Sequence, residues 1–339
     1  MTCTKKTTPM PPIARAAAAA VIGLTGLLAV AGCSSSAPTS STGTVATGSG
    51  SCKNIAYLIN NISNPWISTM ADGGQARGKE LGTNVKVQDA NLDTATQISQ
   101  IQQAIANKVD GILLQSVEAD GIVPAVQQAN AAGIPVVAVN SGVGAGANVV
   151  SYVGVDQTNY GKGLADLAMK AAPAGGKVAI IQGVVGNPVE VQRTAGASEN
   201  LKASGKYNVV ATVSDSWSND KDLAAVQDLL NRFPKGQLDV IIAEGPQIYV
   251  GAAYAKSIGR DDVKFIAGDY PVQVRDAISA GTVYGTVLQD GAQQGAAGVD
   301  ALCNWVQGKK DKVKQPTDFV DMPLVTKDNV SKYQTSWNW

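Results

Sequence analysis

Between residues 54 and 306 the chain repeats one unit: a short apolar run, a few turn formers, then a stretch whose apolar residues recur at helical spacing. That alternation is the tightest constraint in the sequence. Strands linked by crossover helices must lie parallel, in a sheet covered by helices on both faces. Strands are expected at 55–59, 85–88, 111–115, 134–139, 149–153, 177–181, 207–212, 238–243, 263–267 and 284–288. Helices are expected at 67–81, 94–108, 121–132, 156–170, 192–204, 221–233, 249–258, 272–280 and 292–306, the first weakened by Gly73 and Gly74. These units overfill one sheet of about 4–6 strands. Two similar α/β domains are expected, and 339 residues at 45% hydrophobic content suffice for two cores.

The stretch 53–67 (KNIAYLINNISNPWI) shows one unit at work. Ile55, Tyr57, Leu58 and Ile59 read as a strand buried on both faces, and Asn60, Asn61, Ser63, Asn64 and Pro65 end it. Trp66 then stands in the first turn of a helix. In an open α/β sheet the loops beyond the carboxyl ends of the strands bind ligands. Polar and aromatic residues gather at the other strand ends too. Asn140 and Ser141 follow Val139, Glu190 and Arg193 follow Ile181, Trp217 follows Thr212, and Glu244, Gln247 and Tyr249 follow Ala243. Asp269 and Tyr270 follow Ala267, and Gln289 follows Leu288. If two sheets face each other, these groups meet across one cleft. Ring faces would cover C–H surface there while amides, carboxylates and a guanidinium take hydroxyls, which describes a small neutral polar ligand.

Several classes are excluded or unsupported. The chain has no histidine, which removes histidine bases, histidine metal ligands and the usual nucleophilic triads. Its net charge is zero with no basic block, so nucleic acid is not an expected partner. The glycines of GVGAG at 142–146 follow a strand, but the residues after them read as strand, which leaves no helix N-terminus for a pyrophosphate. No cofactor and no metal are expected. A carboxylate-dependent secreted hydrolase would have only Glu190, Glu244 and Asp269 to work with, and nothing in the sequence sets two of them at a working separation.

The first 32 residues read as a signal: Lys5, Lys6 and Arg15, then an apolar run at 16–31 too short and too rich in small residues for a good membrane span. Val30-Ala31-Gly32-Cys33 resembles the lipobox of bacterial lipoproteins, so Cys33 is the expected lipidation site and the first residue of a mildly acidic mature chain. Residues 33–51 then form a flexible Ser/Thr/Gly tether holding the folded part outside the cytoplasmic membrane. Cys52 and Cys303 remain in an oxidising compartment, where a disulfide is expected and two buried thiols are the alternative.

IAYLINNISNPWISTMADGGQARGKELG, VDGILLQSVEADGIVPAVQQANAAGIPVVAVNS, YVGVDQTNYGKGLADL, FIAGDYPVQVRDAISAG and YGTVLQDGAQQGAAGVDAL resemble the ribose-type periplasmic sugar-binding proteins of ABC importers, over residues 53–328. The resemblance implies two Rossmann-like lobes joined by three crossovers near Val155, Gln289 and Phe319, closing on ligand by hinge motion. The first lobe would hold 53–155 and 289–318, the second 156–288 and 319–339, with Cys52 and Cys303 together in the first. It implies a ligand set of Asn64, Trp66, Arg193, Trp217, Asp269 and Gln289, to which the strand ends add Asn140 and Ser141 and, as further candidates, Glu190, Glu244, Gln247, Tyr249 and Tyr270. It also implies an ABC permease as partner to a monomeric receptor, which the lipobox-like segment would anchor through lipid. Two departures stand out: Asn140-Ser141 replaces an Asp-Arg pair that grips sugar hydroxyls, and Ile67 stands where an aromatic often does. The expected cargo is a neutral sugar, polyol or glycoside, with a small aromatic or hydroxylated metabolite as the alternative. A ligand-sensing partner of a membrane receptor would share the same head. Replacing Trp66 by Ala is expected to abolish binding and leave the unliganded melting temperature unchanged.

Overall fold

The computed structural model describes residues 50–339; the signal, Cys33 and the tether up to residue 49 lie outside the described residues. In chain order the elements are β1 (Asn54–Ile59), α1 (Pro65–Leu81), β2 (Asn84–Asp89), α2 (Thr94–Ala106), β3 (Gly111–Leu114), α3 (Val123–Ala131), β4 (Val136–Val139) and β5 (Tyr152–Gly154). They continue as α4 (Gln157–Ala171), β6 (Gly176–Gln182), α5 (Pro188–Ala203), β7 (Tyr207–Ser214), α6 (Asn219–Arg232), β8 (Val240–Ala243), α7 (Ile248–Ser257) and β9 (Lys264–Gly268). Then come α8 (Val272–Ala280), β10 (Gly285–Val287), α9 (Gly291–Val306), β11 (Thr317–Phe319) and β12 (Leu324–Thr326).

The strands form two six-stranded sheets, ordered β11-β5-β4-β3-β1-β2 and β12-β10-β9-β8-β6-β7. All pairings are parallel except β10 with β12. Each sheet lies between two helical layers, because its strands are apolar on both faces. In β1, Ile55, Tyr57 and Ile59 enter one core with α1 and α9, while Ala56 and Leu58 enter another with α2 and α3. In the second lobe Ile180 faces α4 and α5, and Ala179 and Ile181 face α6, α7 and α8.

Gly73 and Gly74 do not interrupt α1. A Cβ on Gly73 would stand 2.3 Å from the Ala292 carbonyl oxygen, and one on Gly295 would stand 1.9 Å from that of Met70. The glycines let α1 and α9 pack backbone to backbone, and that tertiary contact outweighs their cost in helix propensity. Cys52 and Cys303 stand as a pair with Cα atoms 5.3 Å apart, joining the start of β1 to α9.

Three expectations need correction. β5 begins at Tyr152 rather than 149, after an irregular loop through the GVGAG glycines. α5 begins at Pro188, four residues before its expected start, because Asn187 caps it by accepting the Val189 amide at 2.9 Å. β11 and β12 are short strands with no apolar run to announce them, and Phe319 pairs with Gly154 in the first sheet. The last crossover is therefore at 320–323, not before Phe319.

Candidate functional site

In each sheet the strand order reverses beside a central strand: β1 lies between β2 and β3, and β6 between β7 and β8. Loops leaving the carboxyl ends of neighbouring strands diverge at such a point and open a crevice. Both crevices face one cleft. An inner cavity of about 40 Å³ is lined by residues that include Asn60, Trp66, Gln115 and Asn140 from the first lobe and Asn187, Arg193, Trp217 and Asp269 from the second. An outer cavity of about 180 Å³ adjoins it, reached past Asn64, Ile67 and Trp217. Both are smaller than the roughly 300–1,000 Å³ typical for drug-sized ligands.

A network of amides runs through the cleft and joins the lobes at the crossover between β10 and α9. Gln115 Nε2 donates to Asn140 Oδ1 (3.1 Å), Asn140 Nδ2 to Gln294 Oε1 (3.3 Å), and Gln294 Nε2 to Gln289 Oε1 (3.1 Å). Gln289 Nε2 then donates to Asp269 Oδ1 (2.9 Å), which also accepts from the Tyr160 hydroxyl (3.0 Å). Arg193 is buried across from this carboxylate. Its Nε donates to Gln157 Oε1 (2.9 Å), its Nη1 to the Glu244 carbonyl (2.7 Å), and its guanidinium carbon sits 3.7 Å from the centre of the Tyr160 ring. Burial raises the Asp269 carboxyl above its ordinary range, and the Arg193 charge pulls it back down.

Asn140, Asp269 and Trp217 all have left-handed backbone, with φ of 61°, 56° and 56°. Asn and Asp tolerate this region, but a bulky Trp does not enter it without a local reason. At Trp217 the reason is a tight turn closed by its own amide, which donates to Asp215 Oδ1 at 2.7 Å. The indole then fits over two glycines: a Cβ on Gly183 would lie 2.1 Å from its ring, and one on Gly245 2.8 Å.

The structure gathers Asn64, Trp66, Asn140, Arg193, Trp217, Asp269 and Gln289 around the cleft. It does not bring the remaining candidates there. Ser141 bonds the Ser116 hydroxyl (3.0 Å) behind the cleft wall. Glu190 is tied to Gln182, the Gly186 amide and Thr194, and Glu244 to the Gly183 amide and Thr194, so both brace the loop after β6. The Tyr249 hydroxyl accepts from Asn219, and Gln247 is buried with both amide atoms unpartnered among the described residues. Tyr270 lies in the second-lobe core and donates to the Val330 carbonyl (3.0 Å). Asn64 lines the cleft, but its Oδ1 caps α1 by accepting the amides of Trp66 (2.9 Å) and Ile67 (3.4 Å).

Asn60, Gln115 and Asn187 line the cleft without having been singled out in the sequence. Asn60 is only 5% exposed and its Oδ1 has no partner among the described residues. Leaving such an acceptor unmet costs about 1–3 kcal/mol, so it is a place for a ligand hydroxyl. A larger cavity of about 590 Å³ sits at the amino ends of the second-lobe strands, among Lys256, Arg260, Phe265 and Tyr284. None of the buried unpartnered side-chain atoms among the described residues lies on its lining, which leaves the interlobe cleft as the candidate site.

Behind Trp217, burial pushes Asp215 up to about 7 and Asp222 up to about 8, and Glu244 also rises to about 8. The folded state therefore holds protons that the unfolded chain releases above pH ~4. Stability from these groups is full below that value and is lost as pH rises through 7 to 8. The melting temperature should fall between pH 5 and pH 8.5, and Asp222→Asn should flatten that slope. A wild-type melting temperature that stays level or climbs over this range would refute the account.

Comparison with known proteins bears on this geometry. A family described as periplasmic binding protein domain matches residues 55–310. The ribose import binding protein of Escherichia coli (strain K12) is 29% identical over 274 residues, 80% of this chain and 90% of that protein. A xylitol-binding protein of Mycolicibacterium smegmatis is 30% identical over 282 residues, 82% of this chain and 78% of that protein. Among solved structures, an ABC transporter periplasmic solute-binding protein from Actinobacillus succinogenes with bound D-allose aligns with a TM-score of 0.75 at 25% identity, covering 83% of this chain and 100% of that one.

Proposed function

The chain belongs to the periplasmic binding protein family, and we propose that it is the solute-binding receptor of an ABC importer, taking a neutral sugar or polyol between its lobes. The observation that carries this reading is the cleft itself: amides from both lobes, one buried unpartnered acceptor on Asn60, and one guanidinium facing one carboxylate between flat rings. Balanced charge with a surplus of amide donors and acceptors favours a neutral cargo with several hydroxyls. Asn140 replaces a charged grip by a neutral one, in keeping with a polyol. The names of the xylitol- and ribose-binding relatives point the same way. A hydrolase is disfavoured, since Glu190 and Glu244 are spent on loop amides and Thr194. A thermal-shift screen of the purified chain against xylitol, D-ribose, D-allose and myo-inositol tests the reading. A shift with one or more supports it; no shift with any of the four would end it.

The receptor is further read as a monomer held at the outer face of the cell membrane through lipid on Cys33, supported by the lipobox-like Val30-Ala31-Gly32-Cys33. Cys33→Ser should move the protein from the membrane fraction to the soluble one; unchanged membrane association would count against lipid there. Outside the cytoplasm the Cys52–Cys303 pair is a disulfide closing a loop with a sequence separation of 251. Replacing both by Ser should lower stability by about 2–4 kcal/mol through the entropy regained by the unfolded chain. Equal urea midpoints with and without reductant would argue for two thiols.

A further inference from the structure

The segment after β12 crosses from the second lobe to the cleft mouth and brings a ring that neither sheet supplies. Its docking is specific. Pro271 at the N-cap of α8 offers no side-chain acceptor, and the Val272 amide is instead taken by the Trp337 carbonyl at 3.0 Å. The Gln273 side chain then holds residue 339 at both backbone groups, its Nε2 donating to the Trp339 carbonyl (3.2 Å) and its Oε1 accepting the Trp339 amide (3.1 Å). Two bonds from one planar amide hold the backbone there, and packing against Trp337 and the first-lobe core holds the indole.

That indole lies at the boundary between the inner and outer cavities. Asn60, Asn64, Ile67, Trp217 and Trp339 line both, so they form the partition between them. Trp339 is only partly buried, yet it packs with Trp337 against the first-lobe core while its backbone is tied to the second. The two indoles meet edge to face, with centroids 6.2 Å apart. A large ring held by its backbone, partly exposed, and lining with Trp217 a cleft rich in amides, is a surface awaiting a partner.

Resting on the receptor reading above, we propose that Trp339 is a ligand-contacting residue, the outer wall against which the cargo lays a C–H face while Asn60, Asn140 and Asp269 take its hydroxyls. The wall selects sugars or polyols that carry hydroxyls toward one end and hydrocarbon surface toward the other.

The test is calorimetric titration of the full chain with xylitol, D-ribose, D-allose and myo-inositol, in wild type, Trp339→Ala and Trp339→Phe. Losing the ring should weaken binding of the cognate compound about tenfold or more, whereas Phe should stay within about threefold. The unliganded melting temperature should hardly change in either variant. Unaltered or tighter binding by Trp339→Ala overturns the proposal, the tighter case making the ring a plug. If the wild type and both variants bind none of the four, the receptor reading itself falls and the proposal falls with it, an outcome plainly different from binding that ignores residue 339.

Discussion

Arg193→Ala should abolish ligand binding and lower the stability of the unliganded protein by about 3–5 kcal/mol, the usual result of leaving a buried charge without its partner. Arg193 is 2% exposed and stands at the centre of the cleft floor. It ties α5 to α4 through Gln157, holds the end of β8 through the Glu244 carbonyl, and lies over the Tyr160 ring that in turn bonds Asp269. Its charge offsets the burial of Asp269 and of Glu244. Removing it leaves the buried Asp269 carboxyl without its neighbouring cation and frees three elements at once. Arg193→Lys should rescue little, because a point charge cannot serve two acceptors while lying flat on a ring. Urea unfolding and calorimetry of the two variants measure this. A fall below about 1 kcal/mol with binding intact would make Arg193 a rim group with no structural charge to balance.

Trp66→Ala should cost about 3–5 kcal/mol even without ligand, as truncating a buried aromatic ordinarily does. A ring that only faced the cleft would have left the unliganded melting temperature alone, which is what the sequence led one to expect. The structure corrects this. Trp66 is 4% exposed, belongs to the first-lobe core with Met70 and Val299, and its ring lies over Gly291 at the start of α9. Its Nε1 reaches the Gln289 carbonyl at the hinge at 3.4 Å. One edge nonetheless lines the inner cavity, so binding should fail as well. Trp66→Phe separates the two effects by keeping most of the packing. Equal melting temperatures for wild type and Trp66→Ala would show that the ring is cleft surface alone.

Much of the architecture was legible because burial on both faces of a parallel strand writes an unbroken apolar run, and β1, β3, β4, β6 and β8 all carry one. β11 and β12 were not, since short edge strands bury little and need no apolar run. The start of α5 was missed because Asn187 and Pro188 also read as loop, and the cap became visible only from the hydrogen bond it makes. Glu190, Glu244 and Tyr270 were drawn into the candidate site by their place after strands. A strand end says which loop a residue occupies and not which way its side chain turns.

By itself the sequence determined the alternation of strand and helix, the two-domain count, the first-lobe loop with Asn64 and Trp66, and the candidate pairing of Cys52 with Cys303. These follow from local signals: periodicity, turn residues, and the chemistry of a lone pair of thiols. Only the tertiary structure decided that Gln115 and Asn187 belong to the cleft, since that depends on β3 lying beside β1 and on where α5 begins. It alone decided that Trp66 is core as well as wall, and that Trp339 lines the cleft together with Trp217. Those roles come from strand order and from contacts between residues far apart in the chain, and neither leaves a period or a motif to read.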